Sequence, residues 1–222
     1  SSSVGNTNML SDYAAIKNGS YGKLMKAYYA KQDAEKLSGK GDTSQKLTLM
    51  KTSADSLKKS ADALNDSSLW EKKKIKKKDE KTGEEIEVED YDWDKITKAV
   101  KSFVEDYNDV VKEAGESNTK DVLRNASWMT GMTDKNSNML AKIGITIGKG
   151  NKLELDEDAL KQADISSLKT VFTGYNSFVS KISQKATGIS NAANWASATY
   201  TNNGTYSKTD SSLTSSKIDK EV

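Results

Sequence analysis

Apolar residues recur at alternating steps of three and four in three long stretches, and this spacing commits most of the chain to helices. Leu47, Met50, Ala54, Leu57, Ala61 and Leu64 fall on one stripe of a helix of about six turns, for which Ser44 is the expected N-cap. Trp93, Ile96, Val100, Phe103, Tyr107, Val110 and Ala114 repeat the pattern, with Gly115 placed for a left-handed C-cap. Leu168, Phe172, Tyr175, Val179, Ile182, Ala186, Ile189, Ala193 and Ala196 hold an a/d pattern for about four heptads, interrupted by Gly174 and Gly188 as points for a break or bend. A shorter helix over about 20–37 carries Leu24, Met25, Tyr28 and Tyr29 after the break Asn18-Gly19-Ser20. The chain has no proline, where average usage predicts about 11, so the usual helix breaker is absent.

Two further absences limit the chemistry. Without Cys or His there is no Ser-His-Asp or Cys-His nucleophile, no zinc site of the usual kind and no disulfide. Carboxylate, Lys, Tyr and Ser/Thr mechanisms remain. Lys and Arg (34) nearly balance Asp and Glu (32), so the net charge of +2 gives no global field to attract nucleic acid or anionic lipid. No apolar run reaches the roughly 20 residues of a membrane span, and neither partner is expected. Ser1 to Leu10 lacks the basic and apolar regions of a signal peptide. Cysteine usage leaves the compartment open.

Between the first two long helices lies a charged segment, Trp70 to Trp93, whose lysine block resembles a nucleic-acid or membrane patch. A hairpin accounts for it better. With Glu80-Lys81-Thr82-Gly83 as a four-residue loop, Asp79 faces Glu84, and Lys78, Lys76 and Lys74 face Glu85, Glu87 and Glu89. Ile75 then faces Val88, and the two tryptophans close the base. The acidic residues between Asp79 and Asp94 cancel the field of the lysines. Further on, a short helix is expected from Thr119 to Thr130, a turn from Ser137 to Lys142, and a second hairpin over 143–155 around the glycines. Asp156 caps a helical turn through Leu160. Residues 198–222 form a polar extension, with either a small hairpin at Asn203-Gly204 or partial disorder.

Several motifs fail on spacing. Gly144 to Gly150 has three residues between Gly144 and Gly148, and Gly150 stands where a phosphate-binding loop needs Ser or Thr. Asp134-Lys-Asn136-Ser-Asn138 opens like a calcium loop, but Met139 and Ile145 occupy the positions of its Gly and bidentate Glu. The acids Asp156, Glu157 and Asp158 suit a helix N-terminus without any pair being singled out for glycoside hydrolysis. Trp195, Tyr200 and Tyr206 either stack on sugars or pack on the third helix, and Trp195's place at the end of the stripe favours packing. No catalytic residue, cofactor or metal ligand is expected.

Residues 92–190 resemble the C-terminal half of the flagellar filament cap family, also called flagellar hook-associated protein 2. The resemblance rests on Ile96-TKAVKSFVEDYNDVV, on Met139-LAKIGITIGKGNKLELDEDAL and on Val171-Phe-Thr-Gly174, in that order and spacing. It implies a helical stalk domain with a small hairpin, oligomerisation at the filament tip, and guidance of flagellin subunits. It also implies export without a cleavable signal, to the flagellum outside the cell. The charged hairpin stands where similar proteins carry larger inserted domains, and Ser1 to Leu10 lacks the family's Gly-Leu-Asp-like opening.

The expected fold is therefore mostly α: an elongated helical bundle with helices near 20–37, 45–65, 92–114 and 166–196, small hairpins at 70–91 and 143–155, one domain over 1–197 and the extension after it. The expected function is structural assembly, binding flagellin-like or other axial proteins and further copies of itself. A secreted or cell-surface binding module with a borrowed stalk is the alternative, and a carboxylate hydrolase a third reading. Since the last stripe outruns the helix over 92–114, its distal residues Ala186, Ile189, Ala193 and Ala196 are expected to bind a partner subunit or a terminal helix.

Overall fold

A computed structural model describes residues 41–204, with side chains through residue 198. The expected helix over 20–37, Tyr200 and Tyr206 as side chains, and the extension beyond 204 lie outside the described residues. Within them the protein is mostly α. Helix α1 (Ser44–Leu64) and a 3-10 turn (Ser67–Trp70) lead into strands β1 (Lys73–Lys78) and β2 (Glu85–Asp90). Helices α2 (Trp93–Gly115), α3 (Lys120–Lys135) and α4 (Ser137–Ala141) follow, then strands β3 (Ile145–Ile147) and β4 (Leu153–Leu155). Helices α5 (Glu157–Gln162), α6 (Ile165–Phe172) and α7 (Phe178–Gly204) complete the order.

The α1 and α2 stripes are buried as their spacing requires, from Leu47 to Leu64 and from Ile96 to Ala114. Their ends differ from expectation by small steps. Thr43, not Ser44, caps α1, its hydroxyl accepting from Lys46 N at 3.2 Å. Gly115 stays helical with no positive φ, and Glu116 ends α2 in the right-handed region.

The third stripe is two helices. Thr173 is extended and Gly174 takes φ 99°, a conformation that suits a residue without Cβ. The gap is held from outside: Gly174 N donates to Asn65 Oδ1 at 2.7 Å, tying it to the end of α1. Tyr175, in the gap, is 82% exposed, although the heptad pattern gave it a core position. No break occurs at Gly188. There the lack of a side chain lets α3 approach, since a Cβ would lie 2.5 Å from Asn125 Oδ1. Helix α7 runs on through Asn203-Gly204, which is therefore helical and not a hairpin.

Both hairpins form. In the charged one the register is Lys74↔Glu89, Ile75↔Val88, Lys76↔Glu87 and Lys78↔Glu85, with Asp79 N donating to Glu84 O at 2.9 Å across the expected loop. The tryptophans part company at its base. Trp70 is buried, stacks on Phe172 with centroids 5.5 Å apart and gives its indole N–H to Leu64 O, one of the carbonyls left free at the end of α1. Trp93 instead meets Tyr91 edge-on at 6.2 Å. In the second hairpin Gly148 N donates to Lys152 O at 2.7 Å, and the three residues between them reverse the chain with Gly150 and Asn151 both at positive φ. Asn108 on α2 docks it, donating through Nδ2 to Leu153 O and accepting from Leu153 N.

Candidate interaction surfaces

Helices α1 and α7 lie antiparallel in a register fixed by polar bonds. Ser190 Oγ donates to Asp55 Oδ1 at 2.6 Å, and Ser183 Oγ donates to Asp62 Oδ1 at 2.6 Å. The second bond lies seven residues on along α1 and seven back along α7, one heptad in opposite directions. Each aspartate also pairs with a lysine one turn earlier, Lys51 with Asp55 at 2.6 Å and Lys58 with Asp62. Burial raises the pKa of both aspartates, but the lysine and serine hydrogen bonds outweigh it and hold them below the usual value.

This pairing settles where the four expected contact residues lie. Ala186, Ile189 and Ala193 are fully buried in the core of the single chain, and Ala196 is partly buried. It is α1, and not the helix over 92–114, that covers this part of α7. Partner binding through the first three would require α1 to be displaced, while Ala196 stays partly open. The repeated seven-residue spacing of Lys51/Lys58, Asp55/Asp62 and Ser183/Ser190 was the sequence signal for this pairing.

A second polar knot lies at the start of α1. Asp42 is 2% exposed, and its carboxylate accepts from Ser117 Oγ at 2.6 Å, Thr119 Oγ1 at 2.7 Å, Asn118 N at 2.8 Å and Thr119 N at 3.0 Å. It thereby holds the α2–α3 turn to α1. Burial pushes its pKa up, but these donors and Lys46 bring it below the ordinary carboxylate value. No motif marks Asp42, because its partners lie 75 to 77 residues away.

The outer surface carries several large apolar side chains. Trp128 on α3 is 54% exposed, with Lys185 Nζ of α7 over its ring at 4.3 Å, a cation–π contact. Trp195 is 74% exposed, so most of its surface faces solvent and not the end of the stripe. Between α1 and α2 a groove of about 390 Å³ is lined by Ser56, Ser60, Ala63, Ala99, Ser102 and Asp106 together with three lysines. Burial raises the Asp106 pKa against a Ser60 hydrogen bond, and Asp109 and Glu105 add to the rise. One carboxylate lines this groove, whereas glycoside hydrolysis of the ordinary kind uses two.

The other motifs resolve into structure. Asp134 and Lys135 close α3, and Asn136 caps α4, so the calcium-like run is helical. Asp156 caps α5 by accepting from Asp158 N and Ala159 N, and Glu157 pairs with Lys101 at 3.3 Å. Among the described residues no group of three or more His, Cys, Asp or Glu is placed to hold a metal ion. Among them, too, no helix is long and apolar enough to cross a membrane.

Fold and surface together define a helical packing scaffold that displays two hairpins and a few exposed aromatic side chains. Residues 115–221 match the family model described as the flagellar hook-associated protein 2 C-terminus, and this part of the chain is similar to that family. The match takes in α3 to α7 and the second hairpin; α2, which the sequence resemblance included, lies before it. The family is a structural one of the bacterial flagellum, exported from the cell, and the match supports a cap-type structural role. No curated protein and no solved structure matches the chain.

Proposed function

We propose that the protein acts at the tip of a flagellar filament, where it binds flagellin-like subunits and further copies of itself. The observation that carries this reading is the family match over 115–221, which takes in α3 to α7 and the second hairpin. Surface chemistry supports it. Exposed tryptophans are costly to leave in water and are enriched where partners dock, and Trp128 lies on α3 within the matched segment. Ala196, at the open end of the α7 stripe, is the contact point we retain from that stripe; Ala186, Ile189 and Ala193 support it from beneath α1.

The test is location and binding together. Gold-labelled antibody against the chain should mark one end of intact filaments, and the purified chain should retain flagellin from solution. Label spread along filaments or on the cell body, with no flagellin retained, would favour a surface-binding module.

A further inference from the structure

The charged hairpin forms a two-stranded sheet, and among the described residues neither outer edge is paired with another strand. Isolated hairpins are marginal in water, and this one has little core of its own: most of its residues are exposed and Ile86 is 40% exposed. Charge is sorted by strand. On one face β1 presents Lys74, Lys76 and Lys78, and β2 presents Glu85, Glu87 and Glu89. On the other face Ile75, Val88 and Ile86 form an apolar row between Lys73, Lys77 and Asp90.

Among the described residues no ion pair closes between directly opposed members of the ladder. Lys76 reaches Glu85 diagonally at 3.8 Å, and Lys77 reaches Asp90 further along. Each lysine therefore has acid on one side and an open edge on the other, and each glutamate the reverse. Pairing β1 with another β1, or β2 with another β2, would oppose like charges. Pairing β1 with the β2 of a second copy continues the alternation of columns and extends the apolar row. Nucleic acid fits poorly, since the acidic strand lies about 5 Å from the lysine strand.

We propose that this hairpin joins copies of the chain edge to edge, the lysine strand of one against the acidic strand of the next. The contact is directional, so it generates a ring or a helical stack and not a two-fold dimer. This inference rests on the self-assembly part of the function proposed above and assigns it a surface.

The test uses two variants of the full chain. In the first, Lys74, Lys76 and Lys78 are all changed to Glu. The second is the full exchange, which adds Glu85→Lys, Glu87→Lys and Glu89→Lys and so keeps the ladder within each hairpin. Sedimentation at low salt should show the wild type associating, the first variant weakened at least tenfold, and the exchange variant restored. Differently labelled wild type and exchange variant should then not share mixed rings or stacks, because each mixed contact of β1 with β2 opposes like charges; the unlike charges of a mixed β1–β1 or β2–β2 contact give at most closed pairs. Free mixing within assemblies larger than a pair, association unchanged in the first variant, or a wild type that stays monomeric at low salt would overturn the proposal. Tip labelling and flagellin retention by the exchange variant separate the two readings: both persist if only the hairpin assignment fails, and both are absent in the wild type if the function itself is wrong.

Discussion

Ser190 donates its hydroxyl proton to Asp55 at 2.6 Å across 135 residues of chain, and Ser183 repeats the contact with Asp62 one heptad away. These bonds set the register in which α1 covers α7. Replacing both aspartates with alanine should cost about 1 kcal/mol at each site, since charge-assisted bonds at part-exposed positions are worth roughly that much. Urea unfolding of the single and double variants checks both the size and the near-additivity.

Ile189→Asp distinguishes a core position from a free seam. Ile189 is fully buried against its own chain, so the charge would lose its hydration without a partner. A loss of more than about 4 kcal/mol, or failure to fold, is expected. The milder Ile189→Ala should cost about 2 to 4 kcal/mol with the fold retained. Thermal melts beside sedimentation separate loss of fold from loss of association.

Asp42 should govern acid stability. Its folded pKa is lowered, so its contribution is fully present above the unfolded value of about 3.9 and is lost as pH falls through the folded value. Asp55 and Asp62 act in the same direction. The wild type should therefore lose stability below about pH 4, and Asp42→Ala should show a shallower loss there. At neutral pH the same variant strands several buried donors and should cost about 3 kcal/mol. Melts from pH 2.5 to 7 read both effects.

Tyr107→Phe tests a buried bond of smaller worth. The Tyr107 hydroxyl donates to Thr133 Oγ1 at 2.9 Å, and burial drives its pKa far above the usual phenol value. Thr133 keeps its own bond to Met129 O after the change. A loss of about 1 kcal/mol is expected, with no pH dependence between 5 and 9.

Much of the fold was legible because it rests on local periodicity. The α1 and α2 stripes, both hairpins and the Lys-to-Glu register follow from spacing within a few tens of residues. What escaped depends on long-range pairing. Gly174 was a legible point for a break, but Tyr175 fits the heptad count, and its exposure follows from a gap between α6 and α7 that is held by Asn65, far back in the chain. Ile189 and its neighbours were apolar at the right spacing, but periodicity does not say which helix covers a stripe. Asp42 is one acidic residue in a Gly-rich stretch, and its role exists only once Ser117 and Thr119 are beside it. Trp195 lies on α7 and points largely to solvent, which its composition alone would not suggest.

Immunogold labelling of filaments from cells producing the full chain is the most direct measure of the central claim. The account predicts gold at one filament end, with shorter filaments and unassembled flagellin in the medium when the chain is deleted. Filaments of normal length in the deletion strain, with no label at either end, would contradict it.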